Sequence, residues 1–262
     1  MKQLCFILAL VFVFCAEAQK QLKLTGQKNV LTVQDLAVNP DGSVTYSLDG
    51  KKKLTAGKNM YDYAWIPMPA EISEADVLLR KQDFAKAEPA YQAAYEKYNL
   101  LGWGVYCISH RAEALAGMEK LKEAAAFLDQ LKDFQSMNPV VEKHLLNAKI
   151  LYSEILLKLN RLKEAGAIAD TLILSKDDSA VFSAFLLKGD IAGKQGEKKK
   201  AVRCYLQAAY LFPEQKERPR AFYQAITLLK EMKDPRWKNL ETTLKKRYPD
   251  SEYSRKLNER SN

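Results

Sequence analysis

FLLKGDIAGKQGEKKKAVRCYLQAAYLFP, Phe185 to Pro213, is the stretch that decides the fold. Apolar residues recur at three- and four-residue spacings on both sides of Gly196, the pattern of two amphipathic helices joined by a tight turn. Gly189 lies in the first helix, Gly196 at the turn, then Ala201, Tyr205 and Ala208 on one face of the second, with Pro213 closing it. Small residues let paired helices approach, and an aromatic ring fills the space they leave. One such hairpin cannot bury its own apolar stripe, so it implies neighbours.

Those neighbours can be read upstream. Ala112, Leu121, Ala124 and Leu128 occupy the corresponding places in one copy; Ser153, Leu162, Ala165 and Ala169 do so in the next. Phe84, Ala87, Tyr91 and Ala94 read as a half-unit in front of them, and a final helical pair is expected near Pro219–Met232 and Pro235–Arg247. The spacing of Ala87, Ala124, Ala165 and Ala201 slightly exceeds the ~34 residues of a tetratricopeptide unit. Longer loops near Leu100–Gly104 and Asn138-Pro139 would absorb the excess. From Ser73 to Tyr253 the chain resembles the tetratricopeptide repeat family in its small residues, turn glycine, small–aromatic–small ladder and closing proline. Tyr248-Pro249-Asp250-Ser251 is similar to a phrase between repeats of bacterial cell-envelope members. The resemblance implies a helical-hairpin solenoid over 71–262, used as a binding scaffold and not as a catalyst.

The grammar before Pro67 and Pro69 is different. Leu22–Thr25, Leu36–Pro40, the alternating Ser43–Leu48 closed by Asp49-Gly50, and the aromatic Tyr61–Ile66 read as three or four short strands. Residues 19–70 are therefore expected to form a small β module on one small sheet. Residues 1–18 read as a secretory signal: Lys2, the apolar run Leu4–Phe14, and Ala16-Glu17-Ala18 as a cleavage site before Gln19. The run is too short to span a bilayer. A lipid-anchor reading of Cys15 is disfavoured by Phe14 in front of it. The chain is accordingly expected to be exported, periplasmic or secreted.

Composition is globular, with 47% hydrophobic and 28% charged residues and a formal net charge of +9. That charge sits at the ends. Residues 19–70 carry seven basic and four acidic groups, 71–213 carry twenty and nineteen, and 214–262 carry thirteen and eight. Basic ends would suit an anionic envelope surface, or simply cap the solenoid with a polar face. Lys198-Lys199-Lys200 reads as a solvated helix start, and export argues against nucleic acid as its partner.

No nucleophile-elbow, zinc-protease or paired-cysteine motif occurs. Gly189, Gly193 and Lys194 echo a phosphate loop with the wrong spacing. His110 and His144 read as surface or packing residues, and Cys107 and Cys204 as buried, unpaired thiols on apolar helix faces. No catalytic residue, cofactor or metal is implied.

What the resemblance does imply is a groove from set positions of each first helix. Aligned on Ala112, Ser153 and Gly189, these are Tyr106, Ser109 and Glu113; Asn147, Ile150 and Glu154; and Ser183, Leu186 and Asp190. The last of each trio is acidic, and Ser109, Ile150 and Leu186 stand where a basic carboxylate clamp would need Lys or Arg. A groove preferring a basic or amide-rich protein segment is expected. Helix pairing of Glu154 with Lys158 and of Asp190 with Lys194 is the competing explanation for two of the acids. In the second functional reading the protein is an accessory subunit of an envelope assembly, binding through its outer surface and basic ends. The oligomeric state is left open.

Overall fold

The computed structural model describes residues 19–259, so the secretory signal lies outside the described residues. The chain divides into two compact units. One runs to Pro69 and includes Leu100–Gly102; the other comprises Ala70–Asn99 and Trp103 onward.

Among the described residues the first unit carries six strands where sequence patterning indicates three or four. They form two three-stranded antiparallel sheets in place of the single sheet expected. β1 (Lys20–Leu24) lies between β2 (Leu31–Val33) and β6 (Tyr61–Trp65), and β4 (Val44–Ser47) lies between β3 (Asp35–Val38) and β5 (Leu54–Ala56). β2 and β5 have three residues each, too few to show an alternation. Asp41 turns β3 into β4 by accepting from the Ser43 amide (2.9 Å) and hydroxyl (2.7 Å), with Gly42 at φ +80°. Asp49 accepts from the amides of Lys51 and Lys52, so the Asp-Gly pair opens a longer loop before β5 instead of a two-residue hairpin. Leu22 and Val44, on alternate strand positions, are fully buried.

The second unit is helical. Its hairpins pair α1 (Ala70–Arg80) with α2 (Phe84–Tyr98), α3 (Gly104–Gly117) with α4 (Leu121–Asp129) and α5 (Pro139–Lys158) with α6 (Leu162–Ile173). They continue with α7 (Asp178–Lys194) and α8 (Lys198–Leu211), then α9 (Arg218–Glu231) and α10 (Trp237–Arg247), and α11 (Glu252–Glu259) follows. The first copy is thus a complete hairpin, correcting the half-unit reading. Its first helix lacks a glycine or large aromatic at the recognisable places, but Ile72 and Ala75 are fully buried.

The five hairpins among the described residues turn in the same way. Gln82, Glu119, Asn160, Gly196 and Lys233 stand at φ between +57° and +77°. At each, the next amide reaches back five residues: Asp83 to Leu78, Lys120 to Leu115, Arg161 to Leu156, Glu197 to Ala192 and Asp234 to Leu229. This is the Schellman closure of a helix C-terminus. At the other end, the Asn138 side chain accepts from the Val140 and Val141 amides with Pro139 in the first turn. Asp177 accepts from Ala180.

Packing follows the small–aromatic logic. A Cβ on Gly189 would stand 2.5 Å from Tyr205 Cε1, so the α8 ring occupies the space that the glycine vacates. Ala201, Ala208, Ala209, Phe222 and Ile226 close the core around it. Arg218 is buried among them. Its guanidinium donates to the carbonyls of Ala209 and Pro213 and to the Tyr248 hydroxyl (2.8 Å). The Tyr-Pro-Asp-Ser phrase is therefore structural. Tyr248 anchors α10 to α9, and the Ser251 hydroxyl accepts from the Ser254 amide to start α11. Cys107 and Cys204 are buried free thiols, and burial pushes Cys107 up to about 12, leaving it a poor nucleophile.

Candidate functional site

The first helices of the hairpins present an acid at one repeated place. Counting back from each turn residue, the positions are Asp76, Glu113, Glu154, Asp190 and, on α9, Thr227. The two flanking acids are bonded alike. Asp76 accepts from the hydroxyls of Tyr91 (2.6 Å) and Tyr106 (2.9 Å), which lie 15 and 30 residues later. Asp190 accepts from the Tyr205 hydroxyl (2.6 Å) and the Arg220 guanidinium (2.8 Å), again 15 and 30 residues on. Tyr106 and Asp190 are therefore engaged inside the fold. Asp190 bonds to Arg220 rather than to Lys194, and no ion pair joins Glu154 to Lys158 among the described residues.

Glu113 and Glu154 differ because the places fifteen residues later hold Leu128 and Ala169, which donate nothing. Glu113 faces solvent, whereas Glu154 is half-buried. Burial pushes the Glu154 carboxyl above its ordinary value, and Asp190 adds to that while Arg220 opposes it. Asp190 is also raised by burial, against the pull of Tyr205 and Arg220.

Four of the nine expected groove residues converge. Glu154, Ser183, Leu186 and Asp190 border a cleft of about 550 Å³ between α5, α7 and the segment leading into α9. Phe182, Leu186 and Leu187 form its apolar wall. Its charged rim has Glu154, Asp190, Glu214 and Glu217 against Lys216 and Arg220, an excess of acid. Of the other five, Ser109 is buried, Ile150 packs into the core beside Ala184 and Leu187, Glu113 and Asn147 are exposed, and Tyr106 belongs to an aromatic cluster. There the Tyr106 ring stacks on His110 (centroids 3.9 Å) and meets His144 edge-on (4.9 Å), with Trp103 at 5.4 Å. Burial chiefly holds His144 down to about 4, with His110 and Lys143 contributing.

Arg220, Glu217 and Asp76 escaped the sequence reading. Their alignment becomes visible only once the left-handed turn residues Gln82 and Lys233 are located. Aligning on Lys233 as the counterpart of Gly196 places Arg220 level with Tyr106, Asn147 and Ser183. Chemically the cleft offers carboxylates, one guanidinium and an apolar wall, with no activated nucleophile beside a base. Among the described residues no group of three or more His, Cys, Asp or Glu side chains is placed to hold a metal ion. No described helix is long and apolar enough to cross a membrane.

No protein-family model matches the chain, and no curated protein matches it. Solved structures do. The apo form of RapI superposes with a TM-score of 0.60 at 12% identity, over 71% of this chain and 55% of RapI. PilF of Pseudomonas aeruginosa gives 0.52 at 15% identity, over 73% of this chain and 81% of PilF. A MamA fragment from Desulfovibrio magneticus RS-1 gives 0.50 at 15% identity, over 71% of this chain and all of the fragment. This chain thus spans about half the length of RapI. At these identities the likeness concerns the fold alone, and together with the in-phase hairpins it gives the described residues a tetratricopeptide-like helical-hairpin fold preceded by small antiparallel sheets.

Proposed function

We propose that the protein is an exported, non-catalytic scaffold whose α5–α7–α9 cleft holds a basic or amide-rich segment of a partner protein. The observation that carries this is Glu154. It is a half-buried carboxyl on the cleft wall, raised by burial. Among the described residues it has no tyrosine or ion-pair partner of the kind that satisfies Asp76 and Asp190. A lysine or carboxamide entering the cleft would supply the missing donor, while Phe182 and Leu186 take up its aliphatic stem. The apolar run Leu4–Phe14 before Ala16-Glu17-Ala18 supports export, which would place the partner outside the cytoplasm.

The experiment is a calorimetric titration with a lysine- and asparagine-rich peptide at low and high salt. Binding is expected at low salt, weakening as salt rises. Glu154→Gln with Glu217→Gln, both of which spare the Asp190–Tyr205–Arg220 bonds, should weaken it about tenfold, or ~1.4 kcal/mol. Equal affinity in the double variant would refute the reading.

A further inference from the structure

The opposite side of α7 has another character. Phe185, Lys188, Ile191 and Ala192 lie roughly half a turn from Ser183, Leu186 and Asp190, at about 100° per residue. With α6 and α8 they border a groove of about 740 Å³. A second hollow of about 630 Å³ continues across α8 to the turn between α9 and α10. Arg203 and Gln207 of α8 line both, so the two hollows adjoin along α8 as a trough divided by those side chains, over three consecutive hairpins. Its floor is apolar, with Phe185, Leu206 and Met232 half-buried, and Tyr210 and Leu211 remain 53% and 60% exposed at one end.

The rim is cationic. Both acids on the walls are already engaged, Asp170 by Lys188 and Asp234 by Arg236, each at 2.6 Å. Lys200 is engaged by Glu197 at 2.8 Å. Lys163, Lys199 and Arg203 are exposed and carry no ion pair among the described residues. Lys199, from the lysine run, therefore stands over an apolar floor and not over bare solvent.

We propose that this trough docks an acidic amphipathic helix of a partner protein, apolar face down and carboxylates against Lys163, Lys199 and Arg203. Charge complementarity selects the partner. Three unengaged cations above a recessed apolar floor fit a ridge of side chains flanked by acids, the helix-in-groove mode. A bilayer surface is flat and would contact the cations without reaching Phe185 or Leu206. This surface is independent of the acidic cleft on the other side of α7, so each can fail without the other.

The test uses the whole chain and an 18-residue labelled helical peptide with leucines on one face and glutamates flanking it, read by anisotropy. Binding is expected, with at least a tenfold loss in Lys199→Glu combined with Arg203→Glu and no change in Glu154→Gln. Both substitutions are at exposed helical sites, and circular dichroism confirms that the variant remains folded. Tyr210→Ser should also weaken binding, which a purely ionic contact would not predict. The proposal is overturned if the peptide does not bind, or if the charge-reversed protein binds it equally. It is also overturned if phosphatidylglycerol vesicles or a second copy of the chain occupy the surface, and are released by the same reversal, while the peptide does not bind.

Discussion

Among the described residues Glu154 has neither a tyrosine nor an ion-pair partner. The acids at the equivalent places in the first and fourth hairpins each meet a tyrosine fifteen residues on, but Ala169 stands there for Glu154. Its carboxyl pKa in the fold lies above the ordinary 4.5, so over that interval the folded chain binds more protons than the unfolded one. Stability contributed by this group is then present at low pH and lost as pH rises through the folded value. Glu154→Gln is expected to raise the melting temperature at pH 7, with the gain disappearing toward pH 3; a constant gain would locate the effect elsewhere. His144 has the opposite sign. Its folded value of about 4 lies below the ordinary 6.5, so the native state loses stability as pH falls through that window. His144→Phe should flatten this acid slope in melts between pH 7 and 4. The setting of His144 could not be read from sequence, since it meets Tyr106 only where α5 packs on α3.

At the scale of the element, the repeated unit is the hairpin turn, and it carries strain in four of its five copies. Gln82, Glu119, Asn160 and Lys233 hold left-handed backbone without glycine's freedom; only Asn among them tolerates it at all readily. Glycine at Gln82, Glu119 or Lys233 is expected to stabilise the protein by about 1 kcal/mol each, measured by chemical denaturation. Gly196→Ala should destabilise it by a similar amount. Gly189→Ala tests the other repeated feature. Its new Cβ would drive into the Tyr205 ring, so a loss of about 1–3 kcal/mol is expected. The sequence announced these hairpins most clearly where glycine marked them, in Phe185–Pro213. It announced them least in α1, where Ala75 stands at the place of Gly189 and Gln82 disguises the turn. The same disguise at Lys233 hid the alignment that brings Arg220 beside Asp190. Likewise β2 and β5 are too short to alternate, so pairing partners and not pattern define them.

For the whole molecule, the chain divides into two compact units after Pro69, with Leu100–Gly102 grouped with the first, a grouping that no sequence cue signals. A truncated chain beginning at Pro69 is expected to stay strongly helical and to unfold cooperatively, because each hairpin packs mainly on the next. Aggregation or lost helicity on removal of residues 19–68 would contradict that. The proposed seating of a basic or amide-rich segment in the acidic cleft between α5, α7 and α9 is tested by backbone amide mapping by NMR during titration with the lysine- and asparagine-rich peptide. Saturable shifts are expected to gather at residues 154, 183, 186, 190 and 217–220 and to vanish in Glu154→Gln with Glu217→Gln. Shifts that spread over the exposed lysines, or that survive both substitutions, would contradict the claim.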